Sequence, residues 1–147
     1  IPWGGPIGCV RVALIDGHDA FDPASFLADT LAHLVWVRCR TFTEALRATD
    51  FLARDANLAL VVLDLRRAPE ADWRRTPATT WHRLQRAATD ASLALVVITP
   101  RPAVPSAQLR LILSTPHDLS ALSTPRATLA TTLAPTLQRH RLSAASA

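Results

Sequence analysis

Two patterns of apolar and polar positions alternate along the chain. The first is an unbroken apolar run, Leu58-Ala59-Leu60-Val61-Val62-Leu63, closed by Asp64-Leu65 and then Arg66-Arg67. Runs of this length, rich in Val and Leu, suit a strand covered on both faces, as in the middle of a parallel sheet. Leu93 to Ile98 repeats the pattern and ends at Thr99-Pro100. Cys9 to Ile15 predicts a strand ending at Asp16-Gly17-His18-Asp19, and Leu34 to Val37 a short one. Leu109, Leu111 and Leu113 alternate with Arg110 and Ile112, which predicts a less buried strand.

The second pattern is helical. Asp22-Pro23 places a capping carboxylate before a proline suited to a first helical turn, and predicts a helix to about Leu31. Thr41-Phe42-Thr43-Glu44 has the form of a capping box and opens a helix ending near Asn57. Thr76-Pro77 starts another, whose Trp81, Leu84 and Ala88 share one face. Thr124-Pro125 starts a terminal helix through Leu129, Leu133 and Leu137, kinked by Pro135. Alternating strands and helices at these spacings predict a three-layer α/β/α domain over 1–142 with a mainly parallel sheet, and a frayed tail over 143–147.

Composition narrows the chemistry. The chain has 147 residues, 49% of them hydrophobic, enough for a core. No apolar run approaches the ~20 residues that a bilayer span needs, and no secretory signal is visible. Cys9 and Cys39 form neither a zinc pattern nor a disulfide framework, which favours a cytoplasmic setting. There is no methionine, so the chain is expected to be processed or to belong to a longer one. There is no lysine either: all sixteen basic side chains are arginines, as a GC-rich coding sequence would also give. Mechanisms that need an ammonium group, such as a phosphate-loop lysine or a Schiff base, are thereby excluded from this segment. The net charge of +4 permits an anionic partner.

Candidate chemistry gathers where open α/β sheets place their ligands, at the carboxyl ends of the strands. Asp16, His18 and Asp19 follow one strand, Asp64 ends another and Thr99 a third. Neighbouring carboxylates such as Asp16 and Asp64 can hold Mg²⁺ or share protons. The plainer reading makes Asp19 and Asp22 turn and cap residues and His18 a solvated loop residue. A nucleophilic triad has no local signature here, and no phosphate-binding glycine loop is present: Gly4-Gly5-Pro6-Ile7-Gly8 contains a proline and lacks a following Lys-Ser/Thr.

The stretch Val12-Ala13-Leu14-Ile15-Asp16-Gly17-His18-Asp19-Ala20-Phe21-Asp22-Pro23 resembles the second core strand and turn of RecA-type proteins. The likeness continues through Glu44-Ala45-Leu46, the Walker B-like Leu60 to Asp64, and Leu95 to Ile98 before a sensor loop. It covers roughly residues 10 to 113 and is nearest to small RecA-like proteins of the ImuA/SulA type, which Trp36-Val37-Arg38-Cys39 and Thr80-Trp81-His82-Arg83-Leu84 also resemble. The resemblance implies Asp64 as the Walker B carboxylate, His18 or Asp19 at the catalytic-glutamate position and Thr99 at the sensor position. It also implies DNA-facing loops near Trp73 to Pro77 and Arg101 to Gln108, making Arg66, Arg67, Trp73, Arg74, Arg75 and Arg101 candidate nucleic-acid contacts.

The Walker A strand and loop are missing, so this segment is not expected to hydrolyse ATP. The resemblance therefore implies a non-catalytic accessory protein of the DNA damage response or translesion synthesis, cofactor-free, with a degenerate nucleotide site. Its partner would be a repair or polymerase component or a second copy at the sheet edge, with weak DNA contact. One alternative is an ATPase domain completed by a phosphate loop elsewhere, binding Mg-ATP. Another is a pseudo-receiver: Asp16, Asp64-Leu65-Arg66 and Thr99 resemble a response-regulator receiver, but Ser114-Thr115-Pro116 stands where its switch lysine belongs. Both resemblances imply the strand order 35–37, 10–15, 58–64, 93–98. The next neighbour is then strand 109–113 or a partner's strand, because a bare apolar edge invites association.

Overall fold

The computed structural model describes residues 11–141. The start of the first predicted strand, Cys9-Val10, and the tail 143–147 lie outside them. The chain divides into two compact units, one ending at Ser106 and the other beginning at Ala107.

The first unit is a parallel four-stranded sheet with flanking helices in a three-layer α/β/α arrangement. Its strands are β1 (Val12–Asp16), β2 (Leu34–Arg38), β3 (Leu60–Asp64) and β4 (Ala94–Ile98), in the order β2-β1-β3-β4. The register is unbroken: Val12 pairs with Leu34 and Leu60, and Leu60 pairs with Ala94. This is the order expected from the sequence.

Residue parity separates the two faces, because successive side chains of a strand point to opposite sides. Ala13, Ile15, Val61 and Leu63 lie on one face and are completely buried. Helix α2 (Phe42–Leu52) packs there on β1 and β3, and α4 (Ala78–Asp90) packs there on β4. Half of the predicted capping box forms: Thr41 Oγ1 accepts from the Glu44 N–H, while the Glu44 carboxylate accepts from the N–H of Arg40, one residue before the cap. Helix α2 contributes Phe42 and Ala45 to the core, and α4 contributes Trp81, Leu84 and Ala88. Trp73 joins them from α3 (Glu70–Arg75), a helix too polar and short to be visible in the apolar pattern. Its ring stacks on Trp81 at 5.8 Å and meets Phe42 edge-on at 5.3 Å, a favourable aromatic arrangement.

The opposite face is more open. Leu14, Trp36, Leu60 and Val62 are only half-buried there, and Val96 and Ile98 are 46% and 39% exposed. The apolar run in β3 predicts cover on both faces, yet only one face is sealed. The layer over the open face is thin because the helix predicted from Asp22 to Leu31 is interrupted. Asp22 caps a single 3₁₀ turn, Pro23–Ser25, by accepting from the Ala24 N–H at 3.0 Å. Phe26 is then extended, its ring stacked 5.1 Å from Phe21, and α1 (Ala28–Leu31) is one turn long. Phe21 in turn packs edge-on against Trp36 at 5.3 Å. Between this segment and the sheet lies an apolar cavity of about 380 Å³, lined by Leu14, Phe21, Phe26, Leu31, Leu34 and Val62 among others.

In the second unit, β5 (Leu109–Leu113) pairs antiparallel with β6 (Pro135–His140), with a bulge between Arg110 and Leu111. Strand 109–113 therefore builds its ladder with β6, in a two-stranded sheet of its own, rather than extending the parallel sheet beyond β4. The terminal helix is also shorter than its leucine spacing predicts. Helix α5 (Arg126–Thr132) ends before Leu133, which is extended, and Pro135 begins β6. Proline disfavours a helical residue before it and has no N–H for the helical ladder, so the chain changes structure rather than kinking.

Candidate functional site

The strand register aligns Arg38, Asp16, Asp64 and Ile98 in one row at the carboxyl edge of the sheet. Adjacent strands lie about 4.8 Å apart, so the two aspartates are immediate neighbours on the more open face. Asp16 is completely buried and Asp64 is 8% exposed. What decides their chemistry is which groups their oxygens already serve.

Asp16 serves its own loop. One carboxylate oxygen accepts from the N–H of Ala20 at 2.8 Å and, more weakly, of His18 at 3.4 Å; the other accepts from the N–H of Phe21 at 2.9 Å. Burial alone would raise the carboxyl's pKa, but these backbone donors outweigh it and hold the group below its ordinary value. The Trp36 indole favours the anion as well, although its N–H makes no geometrically defined hydrogen bond. Asp16 is thus an anion held by a ring of backbone amides.

Asp64 serves its own turn. One oxygen accepts from the Arg66 N–H at 3.1 Å, and the other forms an ion pair with Arg66 Nε, also at 3.1 Å, so one residue engages both oxygens. The strand ends are drawn together at Gly17, whose N–H donates to the Asp64 carbonyl at 3.1 Å.

The remaining predicted residues are engaged elsewhere. Asp19 sits at a positive φ of 52° and forms a two-pronged ion pair with Arg38, at 2.8 and 2.6 Å. The Arg38 guanidinium also lies 5.0 Å from the centre of the Trp36 ring. Both oxygens of Asp19 are thus engaged, and Asp19 raises the Arg38 pKa through hydrogen bonding and charge. His18 is half-buried, and its Nδ1 has no hydrogen-bond partner among the described residues. Thr99 donates its hydroxyl to the Arg101 carbonyl at 2.6 Å.

The arginine surface is partly neutralised. Glu70 accepts from Arg74 at 3.1 Å and from two nitrogens of Arg101, and its carboxyl pKa is held down chiefly by Arg101. Arg66 is committed to Asp64, while Arg67 and Arg75 remain exposed. Trp73 is 7% exposed and its ring is sandwiched in the core, so it does not present a stacking face for a base. That removes Trp73 from the nucleic-acid contacts suggested by the sequence.

Two participants escaped the sequence reading: Arg38 and Gly17. Arg38 acts through a partner 19 residues away, which no local pattern reveals. Gly17 follows a strand-ending aspartate, a visible but unspecific signal. No group of three or more His, Cys, Asp or Glu side chains among the described residues is arranged to hold a metal. No protein-family model matches the chain, and no curated protein matches it.

Proposed function

We propose that the chain is a non-catalytic interaction domain on a RecA-like core, in which the carboxylates of a degenerate nucleotide site hold the sheet edge together. The damage-response setting follows from the ImuA/SulA-type resemblance of the sequence. One observation carries the reading: the oxygens of Asp16 and Asp64 accept hydrogen bonds from Ala20, Phe21 and Arg66, groups of the protein's own loops. A Walker B carboxylate does its work by turning an oxygen toward the water shell of a nucleotide-bound Mg²⁺. Here that oxygen faces an arginine.

An interaction role also accounts for the apolar surface left open on the sheet. Val96 and Ile98 are exposed beside the half-buried Leu60 and Val62, and exposed apolar patches commonly mark association surfaces. Weak DNA contact would fall to the exposed Arg67 and Arg75. Calorimetric titration of the chain with Mg-ATP tests the reading. No heat of binding is expected. Saturable, Mg²⁺-dependent uptake would instead assign Asp64 to an ATPase site completed by another segment.

A further inference from the structure

We propose that the cavity between the open face of the sheet and residues 20–33 binds a medium-chain aliphatic carboxylate, its chain laid along β1 and its head group at Thr30 and His33. The site is separate from the nucleotide question, because neither Asp16 nor Asp64 lines it.

The walls all belong to the first unit. Leu14 pairs with Val62 across the β1–β3 ladder and Val12 with Leu34 across β1–β2, so the floor is a patch of the sheet face opposite α2 and α4. The roof is Phe21, Phe26 and Leu31. It is fixed in place from three directions. Asp16 accepts from the Phe21 N–H at 2.9 Å, the Phe21 ring packs on Trp36 at 5.3 Å, and Phe26 stacks on Phe21 at 5.1 Å. A volume of about 380 Å³ falls within the range of small-molecule sites. It is too small to seat a partner's helix, which is about 10 Å across.

The two ends of the cavity differ in chemistry. Val12 and Leu34 begin their strands, and the Val12 N–H donates to the His33 carbonyl at 3.1 Å, so His33 marks the amino end of the sheet. Phe21 lies beyond the carboxyl end of β1 in the chain and packs on Trp36, the register partner of Leu14. The lining therefore runs along the strands, from polar at Thr30 and His33 to wholly apolar at Phe21.

That polarity selects an amphipathic occupant. Apart from Thr30 and His33 every lining residue is apolar, so a polar group on the body of the ligand would be buried without a partner, at a cost. The body is therefore a plain hydrocarbon chain. The Thr30 hydroxyl and the His33 imidazole can each donate a hydrogen bond, which suits an accepting head group. No carboxylate lines the cavity, and Asp29, next to Thr30 in the chain, is not part of the lining. A cation would thus find no counter-charge in the walls. An anionic acceptor makes the stronger hydrogen bonds, and its sign agrees with the net charge of +4.

The probe is decanoate, titrated into the full chain below the concentration at which it forms micelles. Saturable uptake of a single molecule per chain is expected. In methyl NMR spectra Val12, Leu14, Leu34 and Val62 should shift, whereas Leu84 and Leu93 in the sealed core should not. Val62→Phe fills the cavity from its floor and should abolish uptake while keeping the parent's circular dichroism. His33→Leu changes an exposed rim position and should weaken decanoate about tenfold, the loss of a hydrogen bond to a charged group, while leaving decanol binding unchanged. Decylamine should bind more weakly than decanoate. Absence of saturable uptake, shifts confined to the exposed Leu109, Leu111 and Leu113, or uptake that survives in a folded Val62→Phe would overturn the proposal. So would a His33→Leu variant that keeps the parent's affinity for decanoate, or a preference for decylamine. The methyl shifts and the His33→Leu comparison decide the matter even where Val62→Phe fails to fold. Mg-ATP uptake bears on the preceding reading alone.

Discussion

The N–H of Gly17 donates to the carbonyl of Asp64 at 3.1 Å, and a β-carbon built at residue 17 would stand 2.7 Å from that same oxygen. It would also meet Leu65 Cδ2 at 3.0 Å. A side chain at residue 17 would therefore collide with the backbone of β3 at the point where the ladder brings Asp16 beside Asp64. Gly17→Ala is expected to destabilise the fold by about 1–3 kcal/mol, the usual cost of overpacking. Urea unfolding measures it. A change within experimental error would mean that the two strand ends are free to separate.

Acid should loosen this edge only at low pH. The folded-state pKa of Asp16 lies below its ordinary value, so its contribution is complete above the unfolded-state pKa near 3.9 and disappears as pH falls through the lower folded value. Between about pH 5 and about pH 2.5, the parent should lose more stability than Asp16→Asn, which has no such proton to take up. Parallel urea titrations at the two pH values provide the comparison. Equal losses would mean that Asp16 gains nothing from its ring of amides.

Cys39 should be chemically quiet. Its side chain is buried, and burial first, then Glu44 and Asp16, raise the thiol's pKa. The thiolate is the reactive form, so labelling of Cys39 in a Cys9→Ser variant should be slow at neutral pH and become fast only in denaturant. Fast labelling of the folded chain would show that the β2–α2 turn opens readily.

Glu70 controls how much positive charge the arginine surface presents, since it binds Arg74 and Arg101 together. Glu70→Gln should tighten single-stranded DNA binding several-fold at low salt and steepen its salt dependence, because more phosphate contacts release more counterions. Fluorescence anisotropy across a salt series reads both. Unchanged affinity and slope would take nucleic acid off this face.

Much of the sheet was legible because its signals are local. The runs around Val61 and Val96 and the starts at Thr41 and Pro77 place two strands and two helices within a few residues. The exceptions share a cause. Whether Leu60 and Val62 are covered depends on a layer contributed by another segment, which an apolar run cannot specify. Phe26 leaves the helical path and stacks on Phe21, which itself packs on Trp36 of β2, a tertiary contact that the cap at Asp22 does not foresee. At the edge, the sequence presents Asp16, Asp19 and Asp64 as three similar carboxylates. Their distinct attachments, to amides, to Arg38 and to Arg66, depend on loop geometry that exists only after folding.

The central claim is that Asp16 and Asp64 stabilise the edge rather than stand ready for a ligand, and the unfolding free energies of Asp16→Asn and Asp64→Asn test it most directly. Carboxylates kept for function beside one another repel, and neutralising one relieves that repulsion. Carboxylates that satisfy buried backbone donors do the opposite when removed, leaving those N–H groups short of acceptors. The account predicts that both variants are destabilised, Asp16→Asn by about 1–3 kcal/mol and Asp64→Asn by less, since its Arg66 partner is half in solvent. A gain in stability on neutralising either residue would contradict it.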